Sequence, residues 1–187
     1  MNRKTLSESE LGQAISSATN HGKWRKRNRL LLLMTHMSGI KRSELAALDI
    51  ADVLEMSGEI KTKVKLPNRT LVLPKQLQVE LKEYITSQFE FDSLAFAAYK
   101  YGDFPLFYTQ KRSSFSPTTL SQTFTSIYER AGLKGATTKT GRQTWLDTLY
   151  ARGANVAALC ELAGQTRLAI TAMPTNSALL RSIVEMI

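Results

Sequence analysis

Residues 24–37, WRKRNRLLLLMTHM, open with four cations among six positions and close in a nearly continuous apolar block. A segment of this kind folds as a helix whose first turn lies at the surface and whose remainder is apolar all round. Other helices must then enclose it. The uninterrupted apolar run, residues 30–34, is far shorter than the ~20 residues that cross a bilayer, so the segment predicts the central helix of a globular domain. The N-terminus MNRKTLSESE carries no apolar signal core.

The rest of the chain supplies the enclosing elements. Residues 7–18 read as a helix, with Ser7 as cap, Glu10 three residues on, and Leu11, Ala14, Ile15 and Ala18 on one face. A second short helix over 43–48 should follow a break at Gly39. Residues 59–66 alternate, with Lys61, Lys63 and Lys65 on one side and Ile60, Val64 and Leu66 on the other. That is a strand with a basic face. The Pro67-Asn68 turn and residues 69–73 complete a β-hairpin. Further helices are predicted at 75–87, at 117–131 with Ser116 capping and Pro117 first, at 140–152 closed by Gly153, and at 156–163 and 177–186. The fold class is mostly α with a small antiparallel β-sheet, an α+β domain that fits no doubly wound or barrel pattern.

The 187 residues make one domain, and 43% hydrophobic with 22% charged residues suffices for a packed core. The 25 Lys+Arg against 16 Asp+Glu leave a formal charge of +9. In a cytoplasmic protein such a balance points to a polyanion, with nucleic acid the commonest. One cysteine, Cys160, and two histidines, His21 and His36, are too few for a zinc site, so no metal is expected. No phosphate-binding glycine loop and no GxSxG elbow occurs, and no cofactor is expected. The cations fall in three further places: Lys41-Arg42, the hairpin lysines, and Lys139 with Arg142, whose spacing lets both reach one phosphate.

The order of these boxes resembles the tyrosine recombinases, the phage-integrase family, over residues 6 to about 176. SGIKRSELAALDIADV resembles that family's first box, and TTKTGRQTWLDTLYARGANVAALCELAGQT resembles its second. The resemblance implies a tyrosine-recombinase catalytic-domain fold and assigns family positions one by one. Lys41 stands at the first arginine, with Arg42 displaced by one. Lys65 or Lys63 stands at the hairpin lysine. Lys139 replaces the first histidine of the second box, Arg142 keeps the arginine, and Gln143 and Gln165 replace two further histidines. The tyrosine nucleophile should fall at Pro174.

Proline has no hydroxyl, and glutamine moves no proton near neutral pH. The resemblance therefore implies a double-stranded DNA-binding protein that has lost strand cleavage, with Lys41, Arg42, Lys63, Lys65, Lys139, Arg142, Arg25 and Arg27 as DNA-binding residues. A bacterial, phage or plasmid origin and a nucleoid location go with it. One domain spans 1–187 without an N-terminal core-binding domain, and 175–187 is a segment that would exchange with a second copy or with an active recombinase. The alternatives are an active enzyme using Thr171, Thr175 or Ser177 or a nucleophile from another subunit, and a protein-interaction module. A helix-turn-helix regulator is also compatible with residues 151–173, its recognition helix starting near Thr166. Blander readings stand beside these: the hairpin lysines as edge-strand guards, Trp24 and Trp145 as core anchors, His36 as a satisfied core histidine, and Cys160 as a small apolar residue.

Overall fold

The computed structural model describes residues 4–20, 23–88, 93–110 and 113–165. The expected helix at 177–186, the exchange segment 175–187, the candidates Thr171, Pro174, Thr175 and Ser177, and the start of the helix-turn-helix recognition element lie outside the described residues. The chain runs α1 (Glu8–Asn20), α2 (Arg25–Ser38), α3 (Arg42–Ala46), α4 (Ile50–Val53), β1 (Lys63–Leu66), β2 (Arg69–Val72), α5 (Lys75–Gln88), α6 (Leu94–Tyr101), α7 (Pro117–Arg130), α8 (Thr140–Ala151) and α9 (Val156–Ala163).

Helix α2 is the axis of the domain and packs against α1, α5, α7 and α8. Arg25 and Lys26 are exposed, whereas Leu30 to His36 are buried without interruption. Its end is set by Gly39, which adopts φ 60°, and a Cβ at that position would lie 2.2 Å from the Trp145 ring. Glycine is therefore required twice over, by backbone and by space. Beyond it, Glu44 accepts the Lys41 N–H at 2.7 Å and starts α3. The capping pairs read from the sequence are present: Ser7 with Glu10, and Ser116 accepting from the Thr119 N–H at 3.1 Å.

Three elements differ from expectation. The helix predicted over 43–48 is α3, which ends at Ala46, and an unforecast second short helix, α4, follows Asp49, whose backbone bridges Pro105 while its N–H bonds the Asp52 carboxylate at 2.9 Å. The strand predicted over 59–66 is regular only from Lys63, where β1 pairs antiparallel with β2 in the register Val64 to Leu71 and Leu66 to Arg69. Ile60 instead bridges Leu54, and the Lys61 ammonium donates to Ala51 O at 2.6 Å, which withdraws it from the basic face. Helix α6 has no sequence forecast; Ser93 caps it through the Phe96 N–H.

The main core runs from Leu6 to Ala136 and takes in residues of α1 through α7. Helices α8 and α9 share a separate small cluster of Leu146, Leu159 and Ala163 with Trp145, Leu149 and Tyr150 packed on it. Trp145 is thus part-buried against Gly39, and Trp24 packs edge-on to Tyr108 at 5.9 Å. His36 is buried, with Nε2 3.1 Å from the Tyr128 hydroxyl, and burial pushes its pKa down to about 4. No described helix is long and apolar enough to cross a membrane.

Candidate nucleic-acid interface

The chain end of α9 is where the boxes meet. Gly164 turns left-handed at φ 58°, and the Gln165 N–H returns to Cys160 O at 3.0 Å. This closure satisfies some of the last carbonyls of the helix and leaves others open. Three cations from three different elements take them. Arg69, at the start of β2, donates to Leu162 O at 2.5 Å, Arg142 of α8 donates to Ala163 O at 2.6 Å, and Lys41 donates to Gly164 O at 3.2 Å. Positive side chains at the negative end of a helix dipole are favourably placed.

The same groups are tied to one another. Arg142 also donates to Gly39 O, as does Arg69 at 3.2 Å. Glu44 sits between the cations, 2.8 Å from the Arg69 Nη2 and 3.8 Å from the Lys41 ammonium. Burial pushes the Glu44 carboxyl up, but the hydrogen bonds from Arg69 and from Lys41 N–H outweigh it and hold its pKa below the ordinary value. Arg142 is pushed down to about 10, first by burial and then by the neighbouring Arg69 charge. One carboxylate against three cations leaves this cluster with a surplus of positive charge.

Arg142 commits one N–H of each terminal nitrogen to a carbonyl, and a guanidinium carries five N–H groups. Donors therefore remain for an oxyanion. Lys139 is exposed at the N-cap position of α8, whose first turn contains no acid. Lys139 and Arg142 are thus brought to one helix start, an arrangement that favours anions. Arg42 is exposed and donates to Ser121 Oγ at 2.6 Å, joining α3 to α7. Lys63 and Lys65 are exposed on the outer face of β1, opposite Val72 and Thr70. Gln143 is held by the Asp147 carboxylate at 2.9 Å, and Gln165 is exposed.

Two corrections follow. Arg27 is not a surface cation: its side chain is 7% exposed and donates to Tyr108 O at 3.0 Å, because position 27 on α2 turns inward toward Tyr108 and Phe115. Arg25 remains exposed. The sequence reading also passed over Arg69. Its signal was available: an arginine at the inner edge of a hairpin turn, with Glu44 an acid two residues after the Lys41-Arg42 pair.

A helical domain that carries one β-hairpin and gathers box-one, hairpin and box-two cations at one point has the architecture of a tyrosine-recombinase catalytic domain. The chain belongs to the Phage integrase family, whose family model matches residues 4–178. It is similar to the crystal structure of XerA recombinase, with a TM-score of 0.73 and 19% identity over 99% of this chain and 64% of that one. It is similar also to XerH site-specific recombinase bound to difH substrate, with a TM-score of 0.70 and 20% identity over 99% of this chain and 55% of that one. A third similar structure is the Tn1549 transposon integrase in complex with a circular intermediate DNA, with a TM-score of 0.74 and 16% identity over 100% of this chain and 67% of that one. The chain thus spans less than two thirds of the XerA and XerH structures. No curated protein sequence matches it.

Proposed function

We propose that this protein binds double-stranded DNA through the Lys41–Arg142 cluster and the start of α8, and does not cleave it. One observation carries the reading: cations stand at the positions that would hold a phosphate, while the positions that would do chemistry hold Gln143, Gln165 and Pro174. Phosphate affinity needs donors and charge. Strand cleavage needs in addition a nucleophile with an ionisable hydroxyl and a group that transfers protons. Such a protein would act in recombination, mobile-element maintenance or regulation, as an accessory or competitor of an active recombinase.

The test is binding to a labelled random-sequence duplex across a salt series, followed by incubation with a nicked suicide substrate. Micromolar or tighter binding that falls steeply with salt, without a covalent adduct, is the expected result. An adduct that survives denaturation would instead make the protein an active recombinase with a nucleophile such as Thr171, Thr175 or Ser177. Absence of binding at low salt removes the DNA reading.

A further inference from the structure

A groove of about 330 Å³ lies between the start of α2 and one face of α7, at the opposite end of α2 from the Lys41–Arg142 cluster. The 14 residues of α2 put the two roughly 20 Å apart. Among the described residues, Lys23, Arg27 and Arg130 contribute its charges and no carboxylate lines it.

Arg27 is the unusual member. Its guanidinium lies 4.7 Å from the Trp24 ring and 5.0 Å from the Phe115 ring, and its hydrogen-bond acceptors are Asn28 Oδ1 and Tyr108 O, both uncharged. Burial draws its pKa below the ordinary arginine value, and the groups that oppose this are tyrosines rather than acids. A buried charge without a counter-charge is costly, and an anion at the groove relieves it. Trp24, also on the lining, keeps its buried indole N–H without an acceptor among the described residues. The opposite wall adds Gln122 and Ser126, whose side chains have no hydrogen-bond partner among the described residues. Arg130 is anchored by its Nε to Ser126 O at 3.0 Å, which lays its guanidinium along this wall.

We propose that this groove is a phosphate-binding site, separate from the cluster, that takes a phosphodiester of the DNA backbone or the phosphate of a free nucleotide. The uncompensated Arg27 charge sets the sign of the ligand. Lys23 and Arg130 close on it from the two walls, and the indole N–H, amide and hydroxyl donate to its oxygens. The backbone source rests on the DNA-binding reading above; the phosphate chemistry does not.

The experiment compares the full chain, a Lys23→Ala/Arg130→Ala variant and, as control, a variant at the exposed Lys82 of α5, Lys82→Ala, using duplex binding over a salt series and thermal protection by inorganic pyrophosphate. Both altered side chains of the double variant are exposed, so its fold is preserved, which its unliganded Tm checks. The expected result is that the double variant loses about five- to tenfold in duplex affinity, with a salt slope shallower by about 1 for each phosphate released. It also loses part of the pyrophosphate protection, which Lys82→Ala retains in full. A change confined to the duplex assigns the backbone, and a change confined to pyrophosphate assigns a free phosphate compound. If the wild type binds no duplex, the DNA reading falls and the pyrophosphate comparison alone decides the groove. A double variant equal to wild type in every assay, or a wild type that binds neither probe, overturns the proposal.

Discussion

Arg69 meets Glu44 at 2.8 Å between the hairpin and α3, and the same guanidinium holds the carbonyls of Gly39 and Leu162. Its side chain is 3% exposed, so this ion pair is removed from water and its partners have no ready substitute. Among the described residues, the apolar packing that holds helix α9 is the small Leu146–Leu159–Ala163 cluster. Arg69 is thus one of three cations, with Arg142 and Lys41, that fix its position.

Replacing Arg69 by methionine is expected to cost about 3 kcal/mol, because Glu44 stays buried beside a lost partner. Arg69→Lys keeps the charge and recovers less than half, since an ammonium cannot span three acceptors as the fork does. Adding Glu44→Gln to Arg69→Met should cost less than the two single changes together. Urea midpoints at constant m-value measure all three.

Gly39 and Gly132 both have positive φ, 60° and 74°, but only Gly39 faces a ring. Gly132→Ala should cost roughly 1–2 kcal/mol, the strain of a left-handed alanine. Gly39→Ala carries that strain and also pushes against Trp145, so its cost is larger by at least about 1 kcal/mol. Equal losses in the two variants would remove Trp145 from the argument.

Most of the fold was legible because its signals are local. Caps at Ser7, Ser116 and Gly153, the alternation of Val64 and Leu66, and the apolar block of α2 each act within a few residues. Helix α6 was missed because its eight residues, LAFAAYKY, are too few and too apolar throughout to show a helical stripe. In the site, box order located Lys41 and Arg142, but Arg69 becomes part of it only when α9 returns 93 residues later to offer the Leu162 carbonyl. Arg27 was misread for the converse reason: four cations in one turn look alike until Tyr108, 81 residues on, selects one of them for the interior. Contacts at that separation leave no periodicity to read.

His36 gives the protein an acid limb. Its folded pKa of about 4 lies below the ordinary histidine value of 6.5, so the unfolded chain takes up a proton first as pH falls. Stability is unaffected by this group above pH 6.5 and is lost between 6.5 and 4. Between pH 7 and pH 5 the loss is on the order of 2 kcal/mol. A His36→Gln variant, which keeps a hydrogen-bonding side chain for Tyr128, should show that much less decline over the same interval. Denaturant titrations at the two pH values read the difference directly.

Lys139 and Arg142 occupy the same helix start but answer to different forces, which separates binding from stability. The Lys139 side chain is exposed, and it is not among the cations that hold the α9 carbonyls. Lys139→Ala should therefore leave Tm unchanged, lower DNA affinity by about three- to tenfold at low salt, and reduce the salt slope by about 1. Arg142 serves the Gly39 and Ala163 carbonyls in the free protein. Arg142→Ala should lose about 2 kcal/mol of stability as those acceptors go unpaired, together with a larger loss of affinity. Arg142→Lys restores charge but not the two-sided reach, so its affinity should stay below wild type even where its Tm partly recovers. If Arg142→Ala binds duplex as the wild type does, the guanidinium serves α9 alone, and the phosphate contact passes to Lys139 and Lys41.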